Sequence, residues 1–157
     1  MAALKIGDKA PHFELPLTME DTWKLSDHIG EANIVLFFFP LAFSSTCHEE
    51  MCSIRDGFNE FRGLDAMIVA ASIDSPLVLN KWKEELGLPY PLLSDFNKTA
   101  GKAYGAFHEK LGPLNGVDKR AAFIIDRAGT IQYTWVSDDP GTLPDITEIK
   151  DALDAMK

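Results

Sequence analysis

The sequence predicts an α/β fold in which a mixed central β-sheet carries helices on both faces. Strand-like and helix-like patterns alternate along the chain, as in domains built from a sheet covered by helices. The continuous apolar run Ile34–Phe39 is typical of a strand buried on both faces. With 157 residues, 46% of them hydrophobic, the chain suits a single domain, residues 1–157, around one core.

The first predicted elements are a hairpin and the buried strand. The hairpin is expected within Phe13–Thr18, where Pro11 and Pro16 limit the pairing because proline lacks a backbone N–H. The strand Ile34–Phe39 follows, and Pro40 ends it. Together they give the order β-β at the start of the chain.

A long helix is predicted next. It begins near Ser45 or Thr46, because Thr46 and Glu49 have the spacing of a capping box. Its apolar residues recur at the spacing of one helix face: Cys47, Met51, Ile54, Phe58 and Phe61. Gly63 is expected to end it.

The second half of the chain continues the alternation and completes the order β-β-α-β-α-β-α-β-β-α. Pro76 begins a helix that runs through Leu86, and Gly87 ends it. Asp126–Gly129 is a turn signal between two strands. The other predicted elements are the strands Ala66–Ile73, Tyr90–Leu93, Ala121–Ile125 and Thr130–Val136, a short helix Lys98–Tyr104 and a final amphipathic helix Pro144–Met156.

Charge and hydropathy exclude two classes of partner. The formal net charge of -9 repels nucleic-acid phosphates and anionic lipids, whereas a small neutral substrate needs no electrostatic steering. The longest apolar run, Ile34–Phe43, is far short of the roughly 20 residues that a membrane helix needs. Met1–Asp8 contains no apolar signal stretch. We therefore expect a soluble cytoplasmic protein without nucleic-acid or membrane partners.

The only two cysteines, Cys47 and Cys52, lie close together in sequence. A secreted disulfide framework uses more cysteines, spread further apart, so this pair is expected to be reactive in a reducing compartment. Cys47 opens a helix, where unpaired N–H groups and the helix dipole favour the nucleophilic thiolate. Cys47, His48 and Cys52 lack a fourth ligand for a metal site, and we expect neither metal nor other cofactor.

The loop before this helix resembles the active-site loop of peroxiredoxins. Pro40, Ser44 and Cys47 match the family pattern of proline, three residues, threonine or serine, two residues and cysteine. Ser44 keeps the hydroxyl but lacks the methyl of the more common threonine, so the resemblance implies an active enzyme with a slightly looser pocket. Further similar segments are Gly7–Phe13, Pro91–Asp95 and Ala103–Gly105.

This resemblance covers essentially the whole chain and implies a thioredoxin-like fold. It implies a cofactor-free thiol peroxidase, an antioxidant oxidoreductase that reduces hydrogen peroxide and organic hydroperoxides through a sulfenic acid on Cys47. Pro40 would shape the loop and shield the sulfur, since it has a fixed φ and no N–H. The Ser44 hydroxyl would hydrogen-bond to the peroxide oxygens.

A cation is also required. Glu49 and Glu50, expected in the first helical turn, disfavour a nearby thiolate by like-charge repulsion. Arg120, which leads into the apolar strand at Ala121, resembles the arginine that points at the sulfur and the peroxide in this family. By the same resemblance, Glu50 orients Arg120 through a bidentate pair, and Trp82 is an aromatic residue packed near the site.

Cys52 distinguishes between subfamilies. Its five-residue spacing from Cys47 resembles the Q-type (bacterioferritin-comigratory-protein) peroxiredoxins, in which the second cysteine resolves the sulfenic acid as an intramolecular disulfide that thioredoxin or a similar dithiol reduces. Residues five apart in a helix have Cα atoms about 8–9 Å apart, and a disulfide needs them within about 7 Å. The helix must therefore unwind locally. Pro40–Phe43 also resembles the alkyl-hydroperoxide-reductase E-type group, which works with one cysteine.

Other interpretations stay open. A thiol–disulfide oxidoreductase would carry Cys-x-x-Cys, whereas four residues separate these cysteines. A redox-signalling or holdase role is an alternative outside enzymology. The chain is a monomer or a homodimer; the resemblance favours a dimer formed through loops near the site, and Phe43, Phe107 and Trp135 are core or interface residues.

Overall fold

The computed structural model describes residues 4–157; Met1–Ala3, part of the segment in which no signal stretch is predicted, lie outside the described residues. Along the chain the elements are β1 (Glu14–Pro16), β2 (Thr22–Lys24), a 3-10 turn (Leu25–Asp27), β3 (Asn33–Phe38), α1 (Ser45–Asp56), α2 (Phe58–Gly63), β4 (Ala66–Ser72), α3 (Pro76–Leu86), β5 (Leu92–Ser94), α4 (Thr99–Ala103), β6 (Phe107–Leu111), β7 (Leu114–Asp118), β8 (Arg120–Ile125), β9 (Ile131–Ser137) and α5 (Ile146–Asp154).

A mixed five-stranded sheet forms the centre, with the strand order β5-β4-β3-β8-β9. The strands β3, β4 and β5 are parallel, while β8 and β9 run antiparallel to their neighbours. Because β3 and β4 are parallel, the loops that follow them leave from the same edge of the sheet. This edge carries the start of α1 and the start of α3.

The two faces of the sheet are buried by different elements. Val35 and Phe37 point toward one hydrophobic cluster, and Leu36 and Phe38 point toward the other, as the two-residue period of a strand requires. The first cluster is covered by residues of α1, α2, α3 and α5, and the second by α4, the first hairpin and the segment before it. The predicted mixed sheet with helices on both faces is therefore confirmed.

The N-terminal hairpin exists but is longer than predicted. Strand β1 pairs with β2 in the register Leu15 to Trp23, so the second strand lies beyond the predicted segment Phe13–Thr18. The connecting turn is closed by the amide of Leu17, which donates to the carbonyl of Asp21 over 2.8 Å. Its polar turn residues carry little apolar periodicity, which is why the pattern placed the end of the hairpin too early.

The long helix predicted to run to Gly63 is two helices. The first ends at Asp56 and the second spans Phe58–Gly63, with Gly57 between them at φ -95° and ψ 7°. Glycine loses more backbone entropy in a helix than other residues, so it is a favourable place for the chain to change direction. Phe61 nevertheless reaches the same core cluster as α1, which preserves the apolar periodicity across the break.

A second hairpin, formed by β6 and β7, is absent from the sequence prediction. Its strands pair from Phe107 opposite Asp118 to Leu111 opposite Leu114. Most side chains of β6 and the first two of β7 are only partly buried or exposed, so the segment lacks an apolar stripe.

No helix within residues 4–157 combines the length and the hydropathy needed to cross a bilayer.

Candidate active site

Ser44 caps the first helix and places Cys47 in its first turn. Ser44 is extended, with φ -75° and ψ 151°, and its hydroxyl oxygen accepts from the backbone N of Cys47 at 3.4 Å. The capping box predicted from Thr46 and Glu49 is therefore wrong, because the helix begins one residue earlier than Thr46. Glu49 and Glu50 consequently lie in the second turn and not in the first.

The Cys47 sulfur is fully buried and faces a guanidinium. Arg120 donates from Nη2 to Cys47 Sγ over 3.2 Å. Both residues are inaccessible to solvent, which strengthens the attraction between a thiolate and the guanidinium because little water screens it. Cys47 also has the N-terminal end of α1 beside it, where the helix dipole adds partial positive charge.

Arg120, the first residue of β8, is held by two further acceptors. Its Nη1 donates to Glu50 Oε1 at 2.7 Å, and Nε and Nη2 donate to the carbonyl oxygen of Pro140 at 3.0 and 2.8 Å. Burial acts to lower the pKa of Arg120, but Glu50 and Cys47 raise it, and the net shift is upward. Arg120 is therefore a permanent cation in a fixed orientation. The Pro140 carbonyl carries no sequence signal, because any residue supplies one.

Glu50 does not form the expected bidentate pair. It touches Arg120 through Oε1 alone, while Oε2 is buried without a hydrogen-bond partner among residues 4–157. A cavity of about 20 Å³, enough for one water molecule, lies beside Glu50 and Ser53. Burial raises the pKa of Glu50 to about 7, and the charge of Arg120 acts in the opposite direction. One contact with Glu50 is enough to hold Arg120, because its Nε and Nη2 groups donate to the Pro140 carbonyl instead.

The loop between β3 and α1 is tightly bonded. Pro40 is buried, and the Ser44 hydroxyl donates to the carbonyl of Leu41 over 3.1 Å. Because this hydroxyl also accepts from Cys47 N, one lone pair remains free to accept from a substrate O–H. Phe43 has a positive φ of 68°, a strained conformation for a side chain with a Cβ.

Asp74, which lies just after β4, fixes this loop, and the sequence prediction missed it. Its Oδ2 accepts from the amide of Ala42 at 2.7 Å and from the Ser72 hydroxyl at 2.6 Å. The carbonyl of Asp74 in turn accepts from the Ser94 hydroxyl at 2.6 Å. A polar residue just after a buried parallel strand was the available signal, since the ends of parallel strands meet at one edge.

Trp82, from α3, supports the loop on its other side. Its ring lies 5.5 Å from that of Phe39 and 5.8 Å from that of Phe43, and only 1% of Trp82 is exposed. Phe43 itself is 52% exposed. The aromatic contact and the Asp74 bond together hold the strained Phe43 backbone in place.

Cys52 lies on the same helix as Cys47 but in a different environment. Both cysteines are free, and Cys52 is half-buried with its Sγ 3.7 Å from His48 Nε2. Helix α1 is continuous from Ser45 to Asp56, so the Cα atoms of the two cysteines are separated by about 8–9 Å. The structure thus brings Pro40, Ser44, Cys47, Glu50 and Arg120 together and leaves Cys52 more than one helical turn away from Cys47.

The chain is similar to known proteins over nearly its full length. Residues 6–134 match the model of the AhpC/TSA family. The alkyl hydroperoxide reductase E of Mycobacterium tuberculosis is 35% identical over 155 residues, which are 98% of each chain. The crystal structure of peroxidoxin BcpB from Mycobacterium tuberculosis superposes with a TM-score of 0.85 at 31% identity, covering 98% of this chain and 99% of that one. Mycobacterium tuberculosis AhpC gives a TM-score of 0.83 at 28% identity, covering 99% and 94%.

Proposed function

The chain belongs to the AhpC/TSA family of peroxiredoxins, and from this membership we propose that its peroxidase chemistry is carried out by Cys47. Its fold is the thioredoxin-like peroxiredoxin fold that the sequence resemblance implies. The observation that carries the proposal is the 3.2 Å contact between Arg120 Nη2 and Cys47 Sγ at the buried start of a helix. A thiolate is the species that such surroundings stabilise.

In the proposed first step the Cys47 thiolate attacks one oxygen of the peroxide. The O–O bond breaks, the sulfur keeps the attacked oxygen as a sulfenic acid, and the other oxygen departs as water or alcohol after taking up a proton. Arg120 stabilises the negative charge that develops on the departing oxygen, in a site where water cannot screen it. The free lone pair of Ser44 orients the peroxide by accepting its O–H.

In the proposed second step Cys52 attacks the Cys47 sulfenic acid, releasing water and forming an intramolecular disulfide. The sequence contains no other cysteine, and the five-residue spacing is the one for which this pairing is expected. The first turns of α1 open to bring the sulfurs together, as helix ends can do at low cost. Thioredoxin or another dithiol then reduces the disulfide.

A one-cysteine cycle is the second candidate. One relative at 35% identity is named alkyl hydroperoxide reductase E, the group that the loop Pro40–Phe43 also resembles. In that cycle an external thiol attacks the sulfenic acid directly, and Cys52 has no role in turnover. The fate of Cys52 after one turnover distinguishes the two cycles.

We also propose a cytoplasmic protein that assembles as a homodimer. Two cysteines close together in sequence fit a reducing compartment, where such a pair is reactive and not part of a structural framework. The exposed ring of Phe43, on the loop beside the site, offers an apolar contact for a second copy. Sedimentation at micromolar concentration tests the assembly: Phe43→Ala should weaken the dimer, and a wild-type protein that sediments as a monomer contradicts it.

The peroxidase activity is tested by peroxide consumption with the purified, reduced protein and a dithiol reductant. Wild type should consume hydrogen peroxide and an organic hydroperoxide, and Cys47→Ser should not, because a serine hydroxyl is not ionised at neutral pH. Cys52→Ser serves as the matched cysteine control for the peroxide-attacking step. Turnover by Cys47→Ser at the wild-type rate would end the proposal.

A further inference from the structure

The outer side of helix α1 carries a second sulfur contact that the peroxide-attacking step does not use. Cys52 Sγ lies 3.7 Å from His48 Nε2, within the distance of a hydrogen bond to sulfur. The two residues are four apart in a continuous helix, the spacing at which side chains meet on one face. The side chain of His48 is exposed to solvent.

We propose that His48 is the general base that activates Cys52 for resolution, an inference that rests on the proposed two-cysteine cycle. A free cysteine is mostly protonated at neutral pH, and the thiol is a poor nucleophile. Histidine is the side chain whose proton affinity suits transfer near neutrality. The 3.7 Å contact places that side chain at the sulfur that must lose its proton.

Disulfide formation with His48 as the base requires no further reactant. His48 Nε2 takes the proton from Cys52 Sγ, and the resulting thiolate attacks the Cys47 sulfur. The new S–S bond forms as the S–O bond of the sulfenic acid breaks, and hydroxide leaves with the proton returned by His48 as water. Since His48 directly follows Cys47 in sequence, it stays close to the leaving oxygen when the start of α1 opens.

The other groups around Cys52 do not compete for this role. Tyr90, from the segment before β5, donates its hydroxyl to the carbonyl of Met51 at 2.8 Å, and burial raises its pKa, so it stays neutral. Arg55, one turn further along, is permanently charged and donates to the carbonyl of Leu86 at 2.6 Å. Glu49, on the same helix, is exposed to solvent. Among residues 4–157, His48 is the group within hydrogen-bonding distance of Cys52 Sγ.

The test measures both chemical steps in the full-length protein across a range of pH. Rapid mixing with hydrogen peroxide gives the rate of sulfenic acid formation, and quenched samples analysed by intact mass give the rate of disulfide formation. In His48→Gln the ratio of the second rate to the first should fall about 10²-fold at neutral pH, the usual size of general-base catalysis. Disulfide formation should recover at alkaline pH, where a thiol ionises without a neighbouring base.

His12→Gln is the matched control, because His12 is also exposed but lies before β1 and away from the cysteines. Free imidazole in the buffer should restore part of the rate in His48→Gln, which a merely structural role of His48 would not allow. A wild-type rate ratio and pH profile in His48→Gln would overturn the inference while leaving the two-cysteine cycle intact. A wild-type protein that forms no disulfide would overturn both together.

Discussion

Arg120 donates to the Cys47 sulfur over 3.2 Å, although the two residues are 73 positions apart in sequence. Arg120 begins β8 and Cys47 lies in the first turn of α1, so the contact depends on the pairing of β8 with β3. Glu50 and the carbonyl of Pro140 hold the same guanidinium. In the proposed first step the donor is thus in position before peroxide arrives, so that no reorganisation is needed.

Arg120→Met should slow the attack of Cys47 on peroxide by about 10²–10³-fold, the usual effect of removing one donor from a developing negative charge. Part of the loss comes from a smaller thiolate fraction, and part persists when the thiol is fully ionised. Single-turnover rates measured as a function of pH separate the two parts. An ionised variant that reacts at the wild-type rate would show that Arg120 has no role in the step.

Removing Arg120 also leaves Glu50 buried without its partner, so the single variant should lose about 3–5 kcal/mol of stability. The double variant Arg120→Met with Glu50→Gln removes both charges and should recover most of that loss without recovering the rate. Chemical denaturation of both variants beside the kinetics checks this separation. Parallel recovery of stability and rate would mean that Arg120 acts only by supporting the fold.

Ser44→Ala should cost about 1 kcal/mol of stability, the usual value for a lost helix cap. It should also slow peroxide reduction, because the Ser44 oxygen accepts from the Cys47 amide and, in the proposed first step, from the peroxide O–H. Ser44→Thr keeps the oxygen and is the matched control, expected to react at least as fast as wild type. Equal single-turnover rates for the alanine variant and wild type would show that Ser44 has no role in peroxide reduction.

Asp74→Ala should slow the first step about tenfold or more, since displacement of a reacting group by about 1 Å can cost 10²-fold. The loop loses the acceptor for the Ala42 amide, and the strained Phe43 backbone is freed to relax. Asp74→Asn keeps an acceptor oxygen and should retain most of the activity. Disulfide formation should not slow in parallel, because a looser loop opens more easily. Equal slowing of both steps would point to general destabilisation instead.

The sequence was informative where a function requires a side chain type at a fixed spacing. Pro40, Ser44 and Cys47 are such positions, and the structure places them in one loop and helix start. Asp74 was missed because an acid after a strand has many uses, and its bond to Ala42 depends on how two parallel strands align. The backbone carbonyl of Pro140 is invisible to any residue pattern for the same reason.

Asp118→Asn should make the protein more stable at neutral pH and its stability less dependent on pH. Burial raises the pKa of Asp118 from 3.8 to about 10, and the charge of Asp95 adds to the shift. As the pH rises, the unfolded chain releases this proton at a lower pH than the folded protein does. Keeping Asp118 protonated in the folded protein therefore costs stability, and the cost grows between pH 3.8 and about 10. The gain on substitution should exceed about 1.4 kcal/mol, the value of one pKa unit.

The measurement is the free energy of unfolding of wild type and Asp118→Asn at several pH values. Other groups titrate in both proteins, and the difference between the two curves isolates Asp118. Asparagine has the same shape, which matters because the Asp118 carboxyl lies against the Cα of Gly101, where a Cβ has no room. A difference that does not grow with pH would contradict a protonated Asp118.

The secondary structure was predictable where an element buries one face, because burial gives its sequence a regular apolar period. It was not predictable where an element lacks such a face. Ile34–Phe39 and the helix beginning at Pro76 correspond to β3 and α3 because each buries a regular face. Strands β6 and β7 bury few side chains, and their pairing is held mainly by backbone hydrogen bonds that leave no apolar pattern. The start of α1 could not be predicted, because three consecutive hydroxyl residues, Ser44, Ser45 and Thr46, could each cap the helix with a side chain.

Cys52→Ser should leave the first chemical step nearly unchanged and prevent normal recycling. The sulfenic acid forms from the Cys47 thiolate and peroxide alone in the proposed first step, and the continuous helix α1 holds the Cα atoms of the two cysteines about 8–9 Å apart. Turnover with thioredoxin should fall, and over-oxidation to the sulfinic acid should rise because the sulfenic acid persists. Steady-state kinetics with thioredoxin check this, and wild-type turnover by the variant would favour the one-cysteine cycle.

Opening of α1 is most directly visible by amide exchange. The oxidised wild-type protein should lose protection over about Thr46–Ile54, because an unbroken helix holds the Cα atoms about 8–9 Å apart and a disulfide needs them within about 7 Å. Cys52→Ser treated in the same way should keep its protection. Full protection in an oxidised protein that contains the disulfide would contradict the required unwinding.

The intact mass of the reduced wild-type protein after one equivalent of hydrogen peroxide tests the central claim most directly. We expect a loss of two hydrogens, with peptide mapping locating the bond between Cys47 and Cys52. A stable gain of one oxygen on Cys47 would contradict resolution by Cys52, and an unchanged mass would contradict the assignment of Cys47 as the peroxide-attacking nucleophile.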